Sequence, residues 1–172
     1  MELKELRKTI ISAILLAIGF VLHQVMPALG GVTFDVQLSM LFIIIMLNMD
    51  FKNTIMVSLA SGLITAVTTK FPGGQFPNMI DKFITGIVIY LLIIALSKIA
   101  NKYVVAAVVG FAGTLLSGTI FLISALLIAG LPLPFATLFF TVVVPTSLAN
   151  TALTPMLYSI VNFSKKAARV EF

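Results

Sequence analysis

The sequence predicts an all-α integral membrane protein with six membrane-spanning helices. Three observations support this fold class: 60% of the 172 residues are hydrophobic, only 10% are charged, and the charges lie mainly at the ends of long apolar runs. A soluble domain averages about 45–50% apolar and about 25% charged residues. The chain therefore has too little polar surface for a water-soluble globule and too many apolar residues for a disordered chain.

The six predicted helices form one transmembrane domain over residues 1–172. The apolar runs are continuous instead of alternating, which argues against a β-barrel. A spanning helix needs about 20 residues, so the charge-free run 103–164 must contain two helices, divided at Gly130-Leu-Pro-Leu-Pro134. The second and third helices are short and require polar flanks or a locally thinned bilayer. The predicted ranges are roughly 5–27, 35–49, 53–69, 77–98, 103–130 and 133–163.

The basic residues predict the orientation in the membrane. Nine of the eleven fall before the first helix, after the sixth, or in the second and fourth connections. By the positive-inside rule, these segments are cytoplasmic and both termini are inside, which requires an even number of helices. Only Lys70 and Lys82 fall on the other side. The charge of +5 is thus a topology signal, and no nucleic-acid partner is expected.

Several kinds of chemistry are missing from the sequence. The chain has no cysteine and one histidine, so a disulfide framework, a thiolate site and an ordinary zinc site are not expected. It contains no G-x-x-x-x-G-K-[ST] motif for ATP. We therefore expect neither an enzyme nor a cofactor bound by this chain.

The few charges on the predicted outer side indicate a binding site. Asp81 and Lys82 enter the fourth helix, where ionisable groups are costly and usually functional. Asn78, Asp81, Lys82 and Thr85 share one helix face, and Asp35 begins the second helix on the same side. Simpler alternatives remain open, because Asp81 also suits a helix start, Lys82 can extend to the interface, and Asp35 is a good N-cap.

A zwitterionic solute such as an amino acid would suit these groups. Its ammonium needs an anion and its carboxylate a cation, which Asp35, Asp81 and Lys82 supply. Aromatic and amide groups are available for an apolar or aromatic ring with an N–H group. These are Phe34, Phe71, Phe76, Gln75, Asn78 and Asn150. His23, near the outer end of the first helix, is more often an interface residue than a ligand.

Small residues recur every fourth position in three helices. In the third and fifth helices, this spacing predicts close internal packing. The residues are Ser58, Gly62 and Ala66 in the third helix and Ala106, Gly110, Thr114 and Gly118 in the fifth. The stripe of Ala13 and Ala17 in the first helix is equally compatible with an internal helix or another protein. Pro145 and Pro155 predict kinks or an interruption in the sixth helix.

One segment of the chain resembles a known family. The third connection and the start of the fourth helix read Thr69-Lys-Phe-Pro-Gly-Gly-Gln-Phe-Pro-Asn-Met-Ile-Asp-Lys82. This sequence resembles the signature region of the bacterial tryptophan transporter family TrpP, and length and layout are similar over essentially the whole chain. The family in turn resembles substrate-binding S-components of energy-coupling-factor transporters. Ala13-x-x-x-Ala17 is similar to the motif by which the first helix of such proteins docks onto a coupling protein.

The resemblance implies a multi-pass protein of the bacterial cell membrane that imports tryptophan. The substrate would bind beneath the outer loops, and a coupling protein with two cytoplasmic ATPases would supply energy, so that ATP is used only by partner subunits. Two alternatives remain: a stand-alone secondary carrier and a non-transporting membrane assembly subunit. The sequence does not distinguish tryptophan from a close analogue or an indole-type precursor.

Overall fold

The predicted all-helical membrane fold is confirmed by a computed structural model, which describes residues 3–25, 28–29, 32–33 and 35–167. In these residues the helices follow one another with short connections. Besides helix, they contain one small antiparallel pairing of β1 with β2 in the first connection. The elements are α1 Leu3–Val25, β1 Ala28–Leu29, β2 Val32–Thr33, α2 Val36–Leu47, α3 Phe51–Thr68, α4 Gln75–Leu96, α5 Lys102–Ile128, α6 Phe135–Leu138 and α7 Val144–Ala167.

A π-helical segment, Phe139–Val143, joins α6 to α7, so that Phe135–Ala167 forms one continuous span. Five helical segments in the described chain are long and apolar enough to cross a membrane, and α2 is a shorter apolar helix. The order and approximate limits of the six predicted helices are therefore those found. The second helix is shorter than its predicted range of 35–49, because α2 ends at Leu47.

Polar side chains fix where three of the helices begin. The carboxylate of Asp35 accepts from the backbone N–H of Leu38 at 3.0 Å and begins α2. Asp50 accepts from the N–H of Asn53 at 2.7 Å and begins α3. Asn101 caps α5 in the same way. Each cap satisfies backbone donors that have no partner within the helix.

The short helix α2 lies at the centre of the bundle. The helix has only 12 residues, and every residue from Val36 to Met46 is buried. A helix that is apolar on all sides is stable only when protein or lipid surrounds it, and here the other helices do so. Phe42, whose side chain is fully buried, lies against Gly113 of α5.

The glycines of α3 and α5 allow the helices to approach closely, as their spacing predicts. A Cβ atom on Gly62 would meet the backbone of Met79 in α4 at 3.2 Å. One on Gly110 would overlap the carbonyl of Asn150 in α7. Small residues therefore hold α3 against α4 and α5 against α7.

The last span is interrupted near the position that its prolines predict. The π-helical segment ends two residues before Pro145, and Pro155 lies inside α7. Proline has no N–H to complete the helical ladder, and wider π turns often accommodate such defects. The hydroxyl of Thr146, the residue after Pro145, also donates to the carbonyl of Val142 at 2.6 Å.

Candidate functional site

A small polar cavity lies between α2, α4, α5 and the π-helical segment. Its volume is about 50 Å³, which is room for a few water molecules. The lining combines charged and hydroxyl groups on one side with apolar groups on the other. The lining residues are His23, Asp35, Leu38, Thr69, Asn78, Asp81, Lys82, Thr114, Ser117, Gly118, Phe121, Val142, Val143 and Thr146.

Three ionisable side chains form the polar side of the cavity. The Nζ atom of Lys82 lies 2.5 Å from a carboxylate oxygen of Asp35 and 2.5 Å from one of Asp81. Asp81 is completely buried and Lys82 is 1% exposed. The ammonium therefore bridges two carboxylates that come from different helices, and the three groups together carry one net negative charge.

Hydroxyl groups complete the coordination of Asp81. Thr85, one turn further along α4, donates to one carboxylate oxygen at 2.9 Å. Ser117 of α5 donates to the other at 2.8 Å, and its oxygen lies 3.3 Å from Lys82 Nζ. A buried carboxylate needs such donors, because water is not available to solvate it. The α4 and α5 helices are thus joined through the ionic group.

Asp35 serves the helix and the cavity at the same time. One of its oxygens caps α2, while the other contacts Lys82. The Nδ1 atom of His23 lies 3.8 Å from the capping oxygen. Asp35 therefore connects α1, α2 and α4 at the cavity.

An aromatic and aliphatic wall faces the charges. Phe121 of α5 lines the cavity and packs edge-on against Phe71, with 5.5 Å between ring centroids. Val142 and Val143 of the π-helical segment complete this wall. A Cβ atom on Gly118 would overlap Val143, so the glycine allows the segment to reach the cavity. A ligand with a charged end and an apolar end would match the two sides.

The structure brings together four of the predicted site residues and separates two. Asp35, Asn78, Asp81 and Lys82 all line the cavity. Gln75, at the first turn of α4, is exposed and is not among the lining residues.

Asn150 lies beside the site without lining it. Its side-chain amide donates to the backbone carbonyl of Asp35 at 3.2 Å and to the hydroxyl of Thr114 at 3.0 Å. It thus connects α7 to the start of α2 and to α5. Of the aromatic residues considered, Phe71 packs behind Phe121, Phe76 is 67% exposed, and Phe34 lies outside the described residues.

Sequence reasoning missed the contribution of α5. Thr114 and Gly118 belong to the small-residue stripe that predicts helix packing, and both also line the cavity. Ser117 and Phe121 lie one and three residues from Gly118 in an apolar run without charge. The only signal for these residues was the hydroxyl groups of Thr114 and Ser117, and such residues are common in packed membrane helices. His23 also lines the cavity.

The two alanines of α1 face away from the bundle. Ala13 and Ala17 are exposed, as are Ile10, Ile14 and Ile18 on the same helix. Ala13 also lines a groove of about 420 Å³ beside α3, together with Asp50 and Lys52. Within the described residues, the helices of the bundle therefore leave the stripe largely uncovered, and lipid or another protein can be its neighbour.

The chain is similar to known proteins over nearly its whole length. The model of the family described as tryptophan transporter TrpP matches residues 5–166. A probable tryptophan transport protein of Clostridium perfringens is 46% identical over 169 residues, covering 92% of each chain. A protein of the same description from Bacillus subtilis is 43% identical, covering 94% of this chain and 92% of the relative.

A third relative, from Clostridium acetobutylicum, is also described as a probable tryptophan transport protein. It is 40% identical over 168 residues, covering 97% of this chain and 96% of the relative. No solved structure matches the chain. From the family match, the near-complete coverage and the membrane-spanning helices, the chain belongs to the TrpP family of tryptophan transporters.

Proposed function

We propose that the protein imports tryptophan and binds it at the cavity formed by Asp35, Asp81 and Lys82. The observation that best supports this proposal is the buried Lys82 ammonium, which lies 2.5 Å from each of two carboxylates. An ionic group at this depth is costly to bury and is uncommon in membrane proteins without a functional reason. The substrate follows from the family and from the names of the relatives.

The charges of the site suit the backbone of a free amino acid. Two carboxylates and one ammonium leave a net negative charge, which the ammonium of the substrate would balance. The substrate carboxylate would then share Lys82 with the two aspartates. Such charge-assisted hydrogen bonds are stronger than neutral ones, particularly where water is excluded.

The apolar side of the cavity suits an indole ring. Phe121 offers an aromatic surface, and the valines of the π-helical segment offer an aliphatic one. Ligand pockets in proteins measure about 300–1,000 Å³, far more than the 50 Å³ between these walls. Tryptophan binding therefore requires the walls to separate, and the π-helical segment is suited to move because its backbone ladder is already interrupted.

For energy coupling, we propose that the protein acts as the S-component of an energy-coupling-factor transporter. The cavity would face outward, both termini would be cytoplasmic, and α1 would dock onto the coupling protein. The exposed Ala13 and Ala17 support this role, because small residues permit another helix to approach closely. The two ATPases would be partner subunits. A stand-alone carrier is the alternative, and it needs no partner at this surface.

The binding proposal is tested directly by titration of the purified protein with tryptophan. The chain contains no tryptophan residue, so any indole fluorescence arises from the ligand alone. We expect saturable binding, and indole, which lacks both charged groups, should bind more than about tenfold more weakly, or 1.4 kcal/mol. A folded protein that binds no tryptophan would refute the proposal. Equal affinity for indole would instead remove the ionic group from recognition.

The coupling proposal is tested by Ala13→Leu combined with Ala17→Leu. The larger side chains would hold a partner helix away from α1, so cells should lose tryptophan uptake while the purified variant still binds tryptophan. Leu63→Ala, on an exposed face of α3, is a control for altering the lipid-facing surface. Uptake at the wild-type rate with equal protein levels would favour the stand-alone carrier.

A further inference from the structure

Another cavity lies on the side of the bundle, apart from the ionic group. It is a groove of about 370 Å³ between α1 and α7, with Met40 of α2 at its base. Its lining is apolar along nearly the whole length, from Ile11 to Leu22 on α1 and from Leu157 to Val161 on α7. Two polar residues, Ser164 and Lys165, close one end.

The dimensions of the groove match a lipid tail. Ile11 and Leu22 are eleven positions apart on α1, or about 17 Å at about 1.5 Å per residue. One leaflet of the hydrocarbon core is about 15 Å thick, half of the whole. The groove is thus about as long as the acyl chain of a lipid in one leaflet.

The polar end of the groove carries positive charge. Lys165 is half-buried among the lining residues. Lys166 is exposed on the next position of α7. A lysine at one end of an apolar groove favours a ligand whose apolar tail ends in a negatively charged head.

We propose that the groove between α1 and α7 is a binding site for an anionic phospholipid. One acyl chain lies along α1, and the phosphate group contacts Lys165 and the hydroxyl of Ser164. The lipid thereby fills the space between α1 and α7.

The test is native mass spectrometry of the intact protein with phosphatidylglycerol or phosphatidylcholine of identical chains. A single cation near the membrane surface contributes about fivefold in affinity for an anionic lipid. We expect at least this preference for phosphatidylglycerol in the wild type. Lys165→Gln should remove most of the preference, whereas Lys98→Gln, an exposed cation in the connection before α5, should retain it.

A second pair of variants tests the groove independently of charge. Ile160→Trp places an indole ring in the groove and should displace the bound lipid, whereas Leu91→Trp, on an exposed face of α4, should not. Equal binding of the two lipids by the wild type would overturn the proposal. So would a Lys165→Gln variant that matches Lys98→Gln, or an Ile160→Trp variant that matches Leu91→Trp. If Lys165→Gln fails to fold, the wild-type preference and the tryptophan pair decide the outcome.

Discussion

The two ends of the helix bundle use charged residues in opposite ways. At the end with the cavity, Asp81 and Lys82 are almost completely buried and bonded to specific partners. At the end with the two termini, Glu5, Lys98 and Lys102 are exposed to solvent. In the first group, each charge depends on the others, because no water can replace a lost partner. In the second group, water can solvate each charge, so the charges are individually replaceable.

The largest expected effect comes from Lys82→Met, which removes the cation between two buried carboxylates. Breaking a buried ion pair from one side typically costs about 3–5 kcal/mol. We expect a matching loss of thermal stability and no detectable tryptophan binding. Lys98→Met makes the same substitution at the other end and should resemble the wild type. If both variants unfold at the same temperature, the proposed difference between the two ends is wrong.

Asp81→Asn is expected to have a smaller but still clear effect. The amide has the shape of the carboxylate but cannot balance the charge of Lys82 or of a substrate ammonium. Tryptophan affinity should fall more than tenfold, about 1.4 kcal/mol. Asp50→Asn is the matched control, because asparagine can cap α3 as aspartate does. Unchanged affinity in Asp81→Asn would remove this residue from the substrate site.

Asn150→Ala should reduce stability more than it reduces affinity. The substitution removes two hydrogen bonds and leaves the carbonyl of Asp35 and the hydroxyl of Thr114 without this donor. Losing a buried partner costs about 1–3 kcal/mol. A double-mutant cycle with Thr114→Val measures the direct interaction between the two side chains. Additive losses of stability would contradict a coupled contact.

The smallest effect is expected for Lys8→Gln. Lys8 pairs with Glu5 at 3.0 Å on the first turns of α1, where Glu5 is exposed. Such pairs contribute about 0.3–0.5 kcal/mol, and salt weakens them. Thermal unfolding should shift by less than for any variant at the cavity. A shift as large as that of Asn150→Ala would mean that this end also contains a specific structural contact.

The fold was predictable from the sequence because hydrophobicity determines which segments enter the membrane. Runs without charge defined the six helices, and the prolines located the interruption before α7. The limits of α2 were predicted less accurately, since the charge-free run continues through Asn48 and Met49 although the helix ends at Leu47. The start of the next helix, α3, is determined by Asp50, which caps it.

Within the candidate site, the sequence predicted mainly the residues whose charge is unusual in an apolar chain. Asp35, Asp81 and Lys82 are rare groups in an apolar chain, and the structure brings all three together. Ser117, Thr114 and Phe121 carry no such signal, because their role depends on how α5 packs against α4 and α7. Gln75 and Asn150 were predicted at the site but do not line the cavity. Both have suitable side chains, but helix orientation places one outside the cavity and the other behind it.

The short length of α2 has a consequence for where its polar ends can lie. Twelve helical residues extend about 18 Å, whereas the hydrocarbon core measures about 30 Å. A helix of this length cannot cross the core alone, so at least one of its ends lies at hydrocarbon depth. Backbone groups at that depth must bond within the protein, and at the start of α2 the side chains of Asp35 and Asn150 provide such bonds.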